Sequence, residues 1–257
     1  MLNPRVVQFF VLAIIIILVH TVYSFWIYPE VQILELIAKE AGAVLPRTFI
    51  VVIKDLEQEV CIILFLWGTF LCLEKLTHIS SQAYLFDVDF LKEIENKDID
   101  TTETLNAIDD LPERIKDTPL VQITTSSLRR YVITGSIQNA AEVVEPALEG
   151  LAIRNEGDLA IIKYVTWAIP SIGFLGTVRG IGQAMTQAES AVAGDIGPMT
   201  SSLGIAFNST FVALLVSIFL MMLLSYLQKS QDDQLLKIQD YCERFLIRRI
   251  SLLSKSK

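Results

Sequence analysis

Four apolar runs, at residues 6–28, 60–73, 159–186 and 203–227, constrain this chain more than any other feature. A helix crosses a bilayer with about 20 apolar residues at ~1.5 Å rise each, and the first, third and fourth runs meet that length. The second, Val60 to Leu73, is short. It is flanked by Glu57 and Glu59 on one side and by Glu74 and Lys75 on the other. We read it as a further span, with bilayer thinning or partners over its ends accommodating the shortfall. Hydrophobic residues make up 52% of the chain and mean hydropathy is +0.49; the excess sits in these runs, with charged stretches between them. The expected fold class is therefore an all-α integral membrane protein with four transmembrane helices and a helical cytoplasmic domain.

The expected organisation is an N-terminal anchor hairpin at 1–75, a cytoplasmic helical segment at 76–158, a pair of membrane helices at 159–228 and a cytoplasmic helical tail at 229–257. Arg5 precedes the first run, as in a signal peptide. However, the run closes on Tyr23, Phe25, Trp26 and Tyr28, aromatics suited to the membrane interface, with no small-residue cleavage site. This predicts a retained anchor. Residues 29–59 read as a short amphipathic element and a turn near Gly42 and Pro46. In 76–158 a break is expected from Asp109 to Pro119, and Pro146 either kinks a helix or starts one. The tail spaces Leu235, Ile238, Cys242, Phe245 and Ile250 as one face of a helix.

Charge sets the orientation. Arg5, Lys75, Arg154, Lys163 and Lys229 flank the spans on one side, whereas the 187–200 loop has no Lys or Arg. By the positive-inside tendency both termini and the 76–158 segment lie in the cytoplasm. The net charge of −8 argues against nucleic acid as a partner. Cys61, Cys72 and Cys242 form no CxxC and read as small buried apolar side chains. His20 and His78 lie too far apart in sequence to suggest a two-histidine metal centre. The glycines at 173, 176, 180 and 182 do not spell GxGxxG, and there is no Walker-type lysine or nucleophile elbow. No enzyme, metal or cofactor is expected.

Two spans carry a chemical pattern. Thr166, Pro170, Gly173, Thr177, Gly180 and Ala184 follow one another at intervals of four and three, along one helical face. Ala206, Thr210, Ala213 and Ser217 repeat the pattern in the last run, with Asn208 and Ser209 beside them. Two readings fit these small, mildly polar stripes. One is close helix packing, because small residues let membrane helices approach. The other is a cavity, or a groove for a foreign helix, in which hydroxyls replace part of an ion's hydration shell. No Asp or Glu falls in the four runs, so a cation pathway would need its acid from another chain. Arg179 is the charge deep in the third run. It either snorkels toward the 187–200 loop or pairs with an acid of a partner.

The stretch Ala168-Ile-Pro170-Ser-Ile-Gly173-Phe-Leu-Gly176-Thr177-Val-Arg-Gly180-Ile resembles the P-x-x-G-x-[LI]-G-T-V-x-G-[IL] signature of the MotA/TolQ/ExbB proton-channel family. Gly204-Ile-Ala206-Phe-Asn-Ser-Thr210-Phe-Val-Ala213-Leu resembles the family's next helix. The specific likeness covers residues 166–227, and the rest agrees in layout. It implies that 159–228 are channel helices of a ring-forming homopentamer in the bacterial inner membrane. It further implies two copies of a single-span partner of the MotB/TolR/ExbD type, which carries the membrane aspartate. By the same likeness Thr177 and Thr210, with Ser209 and Asn208, line the ion path. Thr166, Pro170, Gly173, Gly176, Gly180, Ala206, Ala213 and Ser217 then pack the helices or face the partner. The function implied is energy transduction by ion transport, with protons or sodium. A non-conducting oligomeric scaffold in the lipid bilayer is the alternative. The chain departs from ExbB and TolQ in having four runs, as MotA does. It also has Ala206-Phe207-Asn208 where some relatives carry a glutamate, and Arg179 where a neutral residue is usual.

Overall fold

The computed structural model describes residues 4–40, 46, 48–86 and 101–248, which are helical throughout apart from short connections. The expected turn at Gly42 and the tail position Ile250 lie outside the described residues. In chain order the helices are α1 (Pro4–Val22), α2 (Tyr28–Glu40), α3 (Phe49–Val52), α4 (Leu56–Gln82), α5 (Thr101–Asp109), α6 (Glu113–Lys116), α7 (Pro119–Thr134), α8 (Ile137–Ala141), α9 (Val144–Thr186), α10 (Ala188–Val192) and α11 (Gly197–Tyr241). Among the described residues four helices are long and apolar enough to cross a membrane: Val6–Ala38, Leu56–Phe86, Ile137–Thr186 and Gly197–Ile247.

All four extend beyond their sequence runs, and the first two change how the membrane segments are read. The first was expected to end at Tyr28, before a separate amphipathic element. Instead a π-turn at Tyr23–Ile27 carries α1 directly into α2. The Tyr28 N–H reaches back five residues to the Tyr23 carbonyl, immediately before Pro29, which has no N–H to give. The wider turn relieves the clash that a proline ring makes with the carbonyl four residues earlier. The second run is carried by a longer helix, because α4 extends it by four residues at one end and nine at the other. Its first turn takes in Glu57 and Glu59, which read in the sequence as flanks.

The chain divides into two compact units. The first comprises Met1–Leu73 and Ile161–Ser225, the second Glu74–Ala160 and Tyr226–Lys257. In the first unit Val19, Tyr23, Ile27 and Val31 bury one face of the N-terminal helix against Ile50, Ile53, Ile62 and Ile63. The Tyr23 hydroxyl donates to the Ile53 carbonyl at 2.8 Å.

The second unit has an apolar core of its own. Leu85, Ile108, Leu120, Val121, Leu128, Val144, Ile238, Tyr241, Cys242 and Leu246 pack together. The break from Asp109 to Pro119 is present: α5 ends at Asp109, α6 intervenes, and Pro119 begins α7 where its missing N–H costs nothing. Gly135 closes α7 in the left-handed conformation, its N–H bonded to the Tyr131 carbonyl. Pro146 marks a helix start, in the first turn of α9. The tail face includes Ile238 and Cys242 as expected, and also Tyr241 and Leu246.

Candidate functional site

The two small-residue stripes face each other inside one chain. On α9, Thr166, Gly173, Gly176, Gly180 and Ala184 are buried; on α11, Ser202, Ala206, Ser209, Ala213 and Ser217 are buried. The approach is backbone to backbone. A Cβ on Gly176 would lie 2.5 Å from the Ser209 Cβ, and one on Gly180 would lie 2.6 Å from the Ala206 backbone nitrogen. A Cβ on Gly173 would strike the Ala213 methyl. Gly182, on the opposite side of α9, has open space around it. Small residues thus form a seam that larger ones would hold apart.

Thr177 and Thr210 meet on one flank of this seam, both half-buried. Their hydroxyls are hydrogen-bonded to each other. Thr177 also lies 3.3 Å from the Gly173 carbonyl and 3.1 Å from the Ala206 carbonyl, and Thr210 lies 3.4 Å and 3.3 Å from the same two oxygens. Four oxygens, two of them from residues without bulky side chains, therefore cluster at one level. Of the other residues singled out in the sequence, Thr166 donates to the Ile162 carbonyl at 2.9 Å and Ser217 to the Leu214 carbonyl at 3.0 Å. Both are thus tied within their own helices. Pro170 lies inside α9, half-buried, and Asn208 is half-buried on α11.

The opposite flank belongs to α4. Gln58 donates from Nε2 to Ser209 Oγ at 3.4 Å, and Cys61 lies 3.6 Å from the Ile169 carbonyl. Gly68 admits Leu220 and Val165. Arg179 finds its counter-charges here, 2.7 Å from Glu57 Oε2 and 3.5 Å from Asp55 Oδ1. Neither the 187–200 loop nor an acid of another chain is needed to satisfy it. Burial holds the Asp55 carboxyl above its usual range, against the pull of Lys54 and Arg179.

Glu59 is only 4% exposed, yet its carboxylate has two partners: His20 Nδ1 at 2.8 Å and the Tyr28 hydroxyl at 2.8 Å. Two hydrogen bonds make such burial tolerable, and removing a partner from a buried charge costs about 3–5 kcal/mol. Sequence reasoning missed Asp55, Gln58 and Glu59 as parts of the site. The signal available was the Asp-x-Glu-Gln-Glu run before the second span, which reads equally well as a solvated flank. Among the described residues no group of three or more His, Cys, Asp or Glu is placed to hold a metal ion.

These features define a polytopic helical membrane protein whose last two long helices are joined along a glycine seam bearing paired hydroxyls. Residues 115–240 match the model of the MotA/TolQ/ExbB proton channel family. The match reaches further back than the two motifs of α9 and α11, taking in α7 and α8. Neither the curated proteins nor the solved structures contain a match to the chain.

Proposed function

We propose that this chain is the channel subunit of an ion-driven motor complex in the bacterial inner membrane, with both termini in the cytoplasm. It forms a homopentameric ring around two copies of a single-span MotB/TolR/ExbD-like partner, whose membrane aspartate carries the coupling charge. The carrying observation is the Thr177–Thr210 hydroxyl pair over the Gly173 and Ala206 carbonyls, in a helix pair with no carboxylate in 159–186 or 203–227. Such a site offers oxygens to a passing proton or sodium ion but cannot hold the charge itself. Each elementary charge that crosses releases about 2.3 kcal/mol per 100 mV, enough to drive stepwise rotation. In this reading 1–75 anchors the ring, 76–158 and 229–257 form its cytoplasmic part, and 159–228 lines the path.

The test is copurification of the tagged chain with single-span proteins encoded beside it, followed by imaging and ion flux in vesicles. A ring holding a helix with a membrane aspartate and passing ions is the expected result. A ring that holds no such helix and passes no ions refutes the reading. That outcome would favour a non-conducting scaffold, which the seam also supports, because the small residues of α9 and α11 face each other.

A further inference from the structure

A second polar site lies on the far flank of Ser209 from the threonine pair. Asp55 immediately precedes α4, and Glu57, Gln58 and Glu59 follow in its first turn. Two carboxylates, those of Asp55 and Glu57, here face one guanidinium, that of Arg179. Lys54 is turned to Glu35, at 2.5 Å, and Glu59 is taken by His20 and Tyr28. Asp55 gives one oxygen to Arg179, and its other, Oδ2, is buried without a hydrogen-bond partner. Gln58 is 0% exposed and lies three residues further on, on the same side of the turn. Its Nε2 reaches Ser209, itself 1% exposed, while its Oε1 is also buried without a partner. Two acceptor oxygens are thus enclosed without a partner, one of them on an Asp55 whose carboxyl is otherwise drawn by Lys54, Arg179 and the Gln58 amide.

We propose that Asp55, Gln58 and Ser209 bind one monovalent cation, a hydrated proton or sodium, on the α4 side of the seam. The ligands are hard oxygens of three kinds: carboxylate, amide carbonyl and hydroxyl. They suit such an ion, and the carboxylate supplies the charge that balances it. Arg179 draws on Glu57 more closely than on Asp55, which leaves Asp55 Oδ2 for the cation. As a holding station for ions bound for the path, the site rests on the channel reading above, since Ser209 adjoins Thr210. The binding itself needs no partner and is measured without one.

The experiment uses the full-length chain in lipid nanodiscs. Equilibrium binding of radiolabelled sodium is measured at alkaline pH, and carboxyl protonation is followed by infrared difference spectroscopy as pH is lowered. If the ion is sodium, binding is saturable, lost in Asp55→Asn and Gln58→Leu, and weakened about tenfold in Ser209→Ala. If the ion is the proton, sodium does not bind. A carboxyl band absent from Asp55→Asn then titrates above the ordinary aspartate range, and its midpoint moves in both Gln58→Leu and Ser209→Ala. The proposal is overturned if sodium fails to bind and the Asp55 band is unchanged in both Gln58→Leu and Ser209→Ala. In that case Gln58, with its amide oxygen and nitrogen exchanged, donates to Asp55 and accepts from Ser209 with no ion between them. The Thr177→Val/Thr210→Val double variant retains binding in either arm. A flux defect there with no binding site here separates the two claims, as does the converse.

Discussion

Thr177 on α9 and Thr210 on α11 share the same two carbonyl acceptors, those of Gly173 and Ala206, as well as each other. Two hydroxyl protons therefore have more acceptors than they can fill. Rearranging them exchanges one hydrogen bond for another, which leaves oxygen lone pairs free to turn toward a cation. Thr177→Val and Thr210→Val keep the shape and remove the hydroxyl. Each is expected to lower ion flux about fivefold, the effect of ~1 kcal/mol of lost interaction, and the double change should lower it further. Flux in vesicles, with ring assembly checked by size-exclusion chromatography, measures this. A double variant that assembles and conducts at the wild-type rate would reduce the hydroxyls to packing groups.

The glycine seam predicts a contrast within one helix. Gly180→Ala forces a methyl against the α11 backbone at Ala206, whereas Gly182→Ala meets nothing. Overpacking of this kind costs about 1–3 kcal/mol. Thermal unfolding in detergent should show a clear loss for the first and none for the second. Gly180→Trp should prevent assembly. Equal unfolding temperatures for the two alanine variants would mean that α9 and α11 are not in contact at Gly180.

Topology is open to a direct test. A reporter fused after Lys257 should be active only when it requires the cytoplasm, and a cysteine at Ser190 should label from outside intact cells. Outside activity of the Lys257 fusion would reverse the orientation.

Asp55 predicts a pH effect of defined sign. It lies just before the apolar span, and burial raises its carboxyl above the value of about 3.9 expected in an unfolded chain. The folded state therefore binds the proton more tightly, and stability falls as pH rises toward and through the folded-state value. Asp55→Asn removes that penalty. In sodium-free buffer the variant should unfold at a higher temperature than wild type at neutral pH. The gap should close as pH falls below about 4. A variant less stable than wild type at neutral pH would show that the pull of Arg179 and Lys54 outweighs burial.

Much of this arrangement was legible in the sequence for physical reasons. The stripes of α9 and α11 could be read because small residues recur at the helical period, and membrane helices have few other reasons to place Gly and Thr so regularly. Pro112 and Pro119 announced the break before α7 because proline limits what the backbone can do there. The N-terminal helix was read too short because Pro29 and the aromatics before it look like an end. A π-turn absorbs the proline, and nothing in the composition signals one. The partners of Arg179 were hidden for a different reason. Glu57 lies 122 residues away in the chain, and an acidic flank looks the same whether it is solvated or folded back onto a neighbouring helix.

A seam made largely of backbone also bears on the order in which the molecule comes together. Glycines have no rotamers to freeze, so closing α9 against α11 costs little beyond the helices themselves. The two are separated by a connection of ten residues, 187–196, which keeps the loop to be closed short. The bond between Gln58 and Ser209, by contrast, joins positions 151 apart. In a bilayer, where helices form before they associate, the α9–α11 hairpin is then the natural first event. The threonine pair is assembled with it, and α4 docks afterwards onto a surface already made.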